Sequence, residues 1–262
     1  MILDRFTLTG KVALVTGAAV GVGRATAIKL GTLGAAIAVN YGHSAADAAE
    51  TARLVEETGA RCIVVQADVA DDAQVRAMVR SIVDQLGRID ILVNNAAVTK
   101  FVAFEDLEGL VPDDWTRMFD TNVRGVFQVS RAVAPVMKAQ GEGRIVNLSS
   151  TSSLRPIGSS IAYSVSKAAV NHLTMCLAKA LGPEISVNAI CPGTIVGTRW
   201  HENPREASFP RPADPGKLNP KEVGKGRPAT PEDIAGVIAS LVTGTDWISG
   251  AIILADGARG FA

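Results

Sequence analysis

Ser150, Tyr163 and Lys167 follow one another at intervals of thirteen and four positions. Four positions is about one helical turn, so a helix there sets Tyr163 and Lys167 on one face. A lysine charge beside the phenol favours the phenolate and draws the tyrosine pKa down from about 10. A tyrosine tuned in this way can give or take a proton during carbonyl chemistry. Alone, the pair is also what a solvent-facing helix presents, so its meaning depends on the rest of the chain.

The elements that must position these residues alternate. Short apolar runs at 11–16, 36–40, 62–66, 89–93, 144–148, 185–190 and 251–254 read as buried strands. Helical patterns fill 23–33, 45–58, 72–86, 115–139, 163–181 and 231–242. Short apolar strands alternating with helices predict an α/β fold: one doubly wound domain over 1–262, with a parallel sheet of about seven strands and helices on both faces. One segment breaks the pattern. Seven of the twelve prolines lie between Pro204 and Pro231, and 198–229 is expected to be a long irregular loop of functional use.

Composition excludes several classes. With 26 basic and 26 acidic residues the chain has no net charge and no nucleic-acid signature. No apolar run approaches the ~18 residues of a membrane span, and the start of the chain does not read as a signal peptide. Cys62, Cys176 and Cys191 are scattered, which argues against disulfides or zinc and suits the cytoplasm. His43, His172 and His201 are far apart, and no metal is expected.

Thr16-Gly17-Ala18-Ala19-Val20-Gly21-Val22-Gly23 joins the first strand to the first helix. Glycines let backbone approach a phosphate, and the helix start offers free N–H donors. The same glycines would also serve a purely structural turn, but their place after the first strand of an α/β chain favours a nucleotide.

With this loop, the chain resembles the short-chain dehydrogenase/reductase family, a Rossmann-type fold, from about residue 10 to residue 257. The resemblance rests on Thr16-Gly17-x-x-x-Gly21-x-Gly23, Asp68-Val69, Asn94-Asn95-Ala96-Ala97, Asn122-Val123-x-Gly125, Asn147-Leu148-Ser149-Ser150, Tyr163-x-x-x-Lys167 and Pro192-Gly193, in the family's order. It implies an oxidoreductase that moves a hydride between a nicotinamide and a carbonyl or secondary alcohol. Tyr163 would transfer the proton, Lys167 lower its pKa and hold the ribose hydroxyls, Ser150 hydrogen-bond the substrate oxygen, and Asn122 order a proton-relay water. Gly17, Ala19, Val20, Gly21, Val22 and Gly23 would cradle the pyrophosphate. Asp68 and Val69 would meet the adenine, Asn95, Ala96 and Ala97 pass beneath the ribose, and Pro192, Gly193, Thr194 and Ile195 approach the carboxamide. Gly197 stands where relatives often carry a threonine, so Thr194 and Thr198 are its substitutes.

The choice between NADP and NAD turns on the end of the second strand, where a carboxylate would repel a 2′-phosphate. Asn40-Tyr41-Gly42-His43-Ser44 carries none before Asp47. His43 and Ser44 are phosphate donors by type, and Arg24 is a candidate helper, so NADP is favoured over NAD. By the same resemblance Phe101, Leu154, Ile157 and Trp200 supply apolar substrate surface, while Arg155, Arg199 and His201 are candidates for an anion. The resemblance also implies a homotetramer (or homodimer) joined through 115–139, 163–181 and the end of the chain from 248, with a small-molecule carbonyl or alcohol as substrate. An epimerase or dehydratase on the same fold, and a non-catalytic nucleotide-binding or scaffold protein, are the alternatives. The intact Ser150, Tyr163 and Lys167 weigh against the second.

Overall fold

The computed structural model describes residues 6–199 and 224–259. Seven strands form one parallel sheet: β1 (Val12–Val15), β2 (Ala36–Tyr41), β3 (Cys62–Gln66), β4 (Ile91–Asn94), β5 (Gly143–Leu148), β6 (Ile185–Pro192) and β7 (Ile252–Ala255). Their order is β3-β2-β1-β4-β5-β6-β7. The chain reverses its direction of travel across the sheet between β1 and β4, and a crevice opens at the carboxyl ends of strands at such a switch point.

Period-two alternation divides the core. Ala13 and Val15 face one side with Ile37, Val39, Ile91, Val93, Val146, Leu148 and Ile190, under α1 (Gly21–Thr32), α2 (Ala45–Glu56) and α7 (Pro231–Thr243). Val12 and Leu14 face the other side with Ala38, Leu92, Ile145 and Val187, under α3 (Asp72–Leu86), α5 (Val126–Gln140) and α6 (Ile161–Leu181). A fully buried Leu92 or Ile145 contributes about 2–3 kcal/mol of transfer free energy.

Helix ends follow local chemistry. The Asp71 carboxylate accepts from the Ala73 and Gln74 amides to start α3, and Gly87 closes it in the left-handed region (φ 82°). Ser160 caps α6 by accepting from the Tyr163 amide at 3.3 Å, so α6 starts two residues before its expected start at Tyr163.

The largest departure from expectation is at 115–139. Three segments occupy this region: α4 (Pro112–Phe119), a π-helical turn (Asp120–Gly125) and α5. π turns often mark functional positions. The buried Asn122 lies in this one, held by tertiary bonds that helical periodicity does not record.

Candidate active site

The glycine loop leaves β1 at the switch point. Gly17 (φ 60°) and Gly21 (φ 57°) both take left-handed backbone. A Cβ on Gly17 would stand 2.9 Å from Ala96 Cα, and one on Gly23 would stand 2.5 Å from the Gly17 carbonyl oxygen. Asn95 donates from Nδ2 to the Thr16 and Gly17 carbonyls (2.9 and 3.0 Å), while the Thr16 hydroxyl accepts from the Asn95 and Ala96 amides (3.0 and 3.1 Å). Residue Val20 precedes α1 without a side-chain cap, and the first turn holds no acid. The uncapped N–H donors and the close-packed loop fit a dinucleotide pyrophosphate.

The end of β2 braces this loop. Asn40 is buried; its Oδ1 accepts from the Gly17 amide (3.3 Å) and its Nδ2 donates to the Ala67 carbonyl (3.1 Å). Its side chain therefore shapes the cradle from behind. Tyr41 and Gly42 are half-buried, and His43 and Ser44 are exposed. Arg24 donates to the Ala19 carbonyl (2.7 Å), the Thr51 hydroxyl (2.9 Å) and the Asp47 carbonyl (3.1 Å). It is a clamp between the glycine loop and α2. Arg199 forms a two-pronged ion pair with Asp47 at 2.6 and 2.8 Å, which holds that carboxyl below the usual carboxylate range. Asp68 is exposed and Val69 buried; the Val69 carbonyl accepts from Gln128 at 2.8 Å.

Ser150, Tyr163 and Lys167 come together. Ser150 ends the run after β5 and opens a 3₁₀ turn (Thr151–Ser153). Its hydroxyl hydrogen-bonds that of Tyr163. The Lys167 ammonium lies 5.7 Å from the Tyr163 ring centroid and donates to the Leu148 carbonyl at 2.7 Å. Both α6 side chains are buried, at 9% and 3% exposure.

Burial dominates the electrostatics of both α6 groups. Burial holds the Tyr163 phenol well above its ordinary range, and the Ser150 hydrogen bond is what opposes this. Burial also draws the Lys167 ammonium down to about 8. Charge in a desolvated site is costly for both partners, and spacing along a helix does not report desolvation.

Asn122 joins this cluster from the π turn. Its Oδ1 accepts from the Val98 amide (2.8 Å), and its Nδ2 donates to the Val98 carbonyl and the Ser166 hydroxyl (both 3.0 Å). It fastens the segment after β4, which carries Ala96 and Ala97, to α6. Across the crevice, Pro192 ends β6, the Gly193 amide donates to Ala255 at 3.3 Å, and the Thr194 hydroxyl accepts from Arg259 at 2.9 Å. Ile195 bridges Ala229. Thr198 passes over the glycine loop, 3.6 Å from where a Gly21 Cβ would lie.

Phe101 and Arg155 are half-buried, and Leu154 and Ile157 are exposed near the cluster. Arg199 is turned to Asp47. Trp200, His201 and most of 198–229 lie outside the described residues. Sequence reasoning missed Thr51, Ser166, Ser153 and Asn171, whose hydroxyls and amide hold the site through bonds between distant segments. No group of metal-binding side chains occurs among the described residues.

The short chain dehydrogenase family profile matches residues 11–208. A granaticin polyketide synthase putative ketoacyl reductase from Streptomyces violaceoruber is 35% identical over 94% of each chain. A 3-oxoacyl-(acyl-carrier-protein) reductase from Synechocystis sp. is 34% identical over 90% of each chain. The crystal structure of a gluconate 5-dehydrogenase from Burkholderia cenocepacia, in complex with NADP and tartrate, superposes with a TM-score of 0.87 at 32% identity, covering 100% of both chains. Strand order, glycine cradle and family match agree: the chain belongs to the short-chain dehydrogenase/reductase family of oxidoreductases.

Proposed function

We propose that the protein reduces a ketone to a secondary alcohol with NADPH as reductant. The observation that carries this reading is the buried meeting of Ser150, Tyr163 and Lys167 beside the glycine cradle. When bound, NADPH supplies the hydride. Tyr163, neutral at neutral pH, donates the phenolic proton to the substrate oxygen. Ser150 hydrogen-bonds that oxygen as charge develops. Lys167 keeps a positive charge at neutral pH and has donors beyond its Leu148 bond for ribose hydroxyls. Asn122 sets the wall between Val98 and α6 and stands beside the proton path.

NADP is favoured over NAD on the absence of a carboxylate from 40–44 and the exposure of His43 and Ser44. Asp47, the nearest acid in sequence, is neutralised by Arg199 and Arg24. The NADP found in the gluconate 5-dehydrogenase supports the same choice. The names of the two reductase relatives favour a 3-oxoacyl or polyketide-type ketone, and exposed Leu154 and Ile157 suit an apolar arm. We read 1–262 as one domain with 198–229 as its substrate loop. Three free thiols, at Cys62, Cys176 and Cys191, support a reducing compartment such as the cytoplasm. No described helix is long and apolar enough to cross a membrane.

The test is NADPH and NADH oxidation against a panel of 3-oxoacyl thioesters, cyclic ketones and keto sugars. Ketone-dependent oxidation faster with NADPH is expected. NADH preference overturns the cofactor choice, and cofactor binding without turnover on any ketone overturns the reductase.

A further inference from the structure

The stripe of α6 that carries Tyr163 and Lys167 continues one turn further, to Asn171. Asn171 is buried, at 7% exposure, and has left the motif behind. Its Nδ2 donates to the Ser153 hydroxyl at 2.7 Å. Ser153 in turn donates to the Ser150 carbonyl at 2.5 Å. On the other side, the fully buried Cys191 thiol donates to Asn171 Oδ1 at 3.6 Å and lies 3.5 Å from Ser153 Oγ. One direction of donation satisfies the whole chain: Cys191 S–H to Asn171 Oδ1, Asn171 N–H to Ser153 Oγ, Ser153 O–H to the Ser150 carbonyl.

We propose that buried Cys191 and Asn171, with half-buried Ser153, form a positioning relay that fixes the Ser150 main chain, and with it the Ser150 hydroxyl, against Tyr163. The relay joins three segments: the turn after β5, the catalytic stripe of α6 and the end of β6, where Cys191 precedes Pro192 and Gly193. It reaches the chemistry through Ser150, whose carbonyl accepts from Ser153 and whose hydroxyl bonds Tyr163. A buried polar chain with every member satisfied admits few alternative geometries, so it specifies position more than it adds stability. The three residues touch neither substrate nor cofactor in this reading; they act through Ser150.

The inference rests on the proposed role of Ser150, so wild-type ketone reduction is established first; its absence would defeat that role, not the relay. Ser153→Ala and Asn171→Leu are then measured for kcat, substrate KM, cofactor Kd and thermal midpoint. Each should lower kcat roughly tenfold, the scale of a small misplacement of a reacting group, with cofactor Kd held within about twofold. The double variant should be no slower than the slower single, because both cut one chain. Wild-type kcat in Ser153→Ala overturns the relay. So does a loss seen mainly in cofactor Kd, or losses that multiply in the double variant. If Asn171→Leu does not fold, Ser153→Ala decides by the same kcat and Kd criteria.

Discussion

Burying the Lys167 ammonium disfavours its charged form, and its pKa falls from 10.5 to about 8. Between those values the unfolded chain holds more protons than the folded one, so this group makes stability rise with pH. Below about 8 the penalty is fully present, and above 10.5 it is gone. Lys167→Met removes it. The wild type should therefore gain stability relative to Lys167→Met, on the order of 3 kcal/mol, as pH rises through that window. Urea midpoints of both proteins at each end of the window measure it; parallel pH profiles would contradict the buried charge. Tyr163 shifts the other way, its phenol held neutral, and its effect is common to both proteins. The four-residue spacing made the shared face of Tyr163 and Lys167 legible. What it could not carry was the depth of burial: Tyr163 packs with Met118, Val98, Leu110 and Trp115, Lys167 reaches the Leu148 carbonyl, and that depth decides which way each pKa moves.

At the scale of elements, the proposed cofactor choice turns on the end of β2. It ends at Tyr41, and a Cβ on Gly42 would meet nothing within 4 Å. Gly42→Asp should fold normally and bring a carboxylate to the ribose end of the cleft. It should shift the NADPH-to-NADH ratio of kcat/KM toward NADH by about tenfold or more, as expected for a charge facing a 2′-phosphate. An unchanged ratio would place the 2′-position elsewhere. All seven strands were legible in the sequence to within about two residues, because short apolar runs closed by Gly, Asn or Asp leave little freedom. The π turn was not. Asp120-Thr121-Asn122-Val123-Arg124 contains no helix breaker, and the interruption accompanies bonds from Asn122 to Val98 and Ser166. The clamp made by Arg24 was not legible for a similar reason: its partners Ala19, Thr51 and Asp47 converge only in the folded chain.

For the molecule as a whole, neither edge strand of the sheet, β3 or β7, is fully buried. β7 is apolar yet only half-buried along its length, and beside it Trp247 is 92% and Ile248 42% exposed. Phe127 on α5 and Val165 and Met175 on α6 are also exposed apolar residues. The family resemblance implies subunit contacts in these regions, and we propose a homotetramer (or homodimer) joined through them, since exposed apolar surface of this kind marks interaction sites. Trp247→Glu should lower the mass in light scattering to a smaller assembly with the fold intact. A wild-type monomer would refute the assembly, and an unchanged mass in the variant would move the interface away from β7. The proposed substrate loop at 198–229 lies mostly outside the described residues, and its prolines and charges without periodicity give a boundary but no pocket.

The most direct test of the account is single-turnover oxidation of bound NADPH by a ketone substrate in the wild type and in Tyr163→Phe, with cofactor Kd measured on both. The variant loses only the buried hydroxyl that Ser150 hydrogen-bonds. Removal of the proton donor should slow turnover about 10²–10⁴-fold with Kd nearly unchanged. Turnover in Tyr163→Phe within a few-fold of the wild type would contradict the assignment of Tyr163 as the acid and, with it, the proposed chemistry of the site.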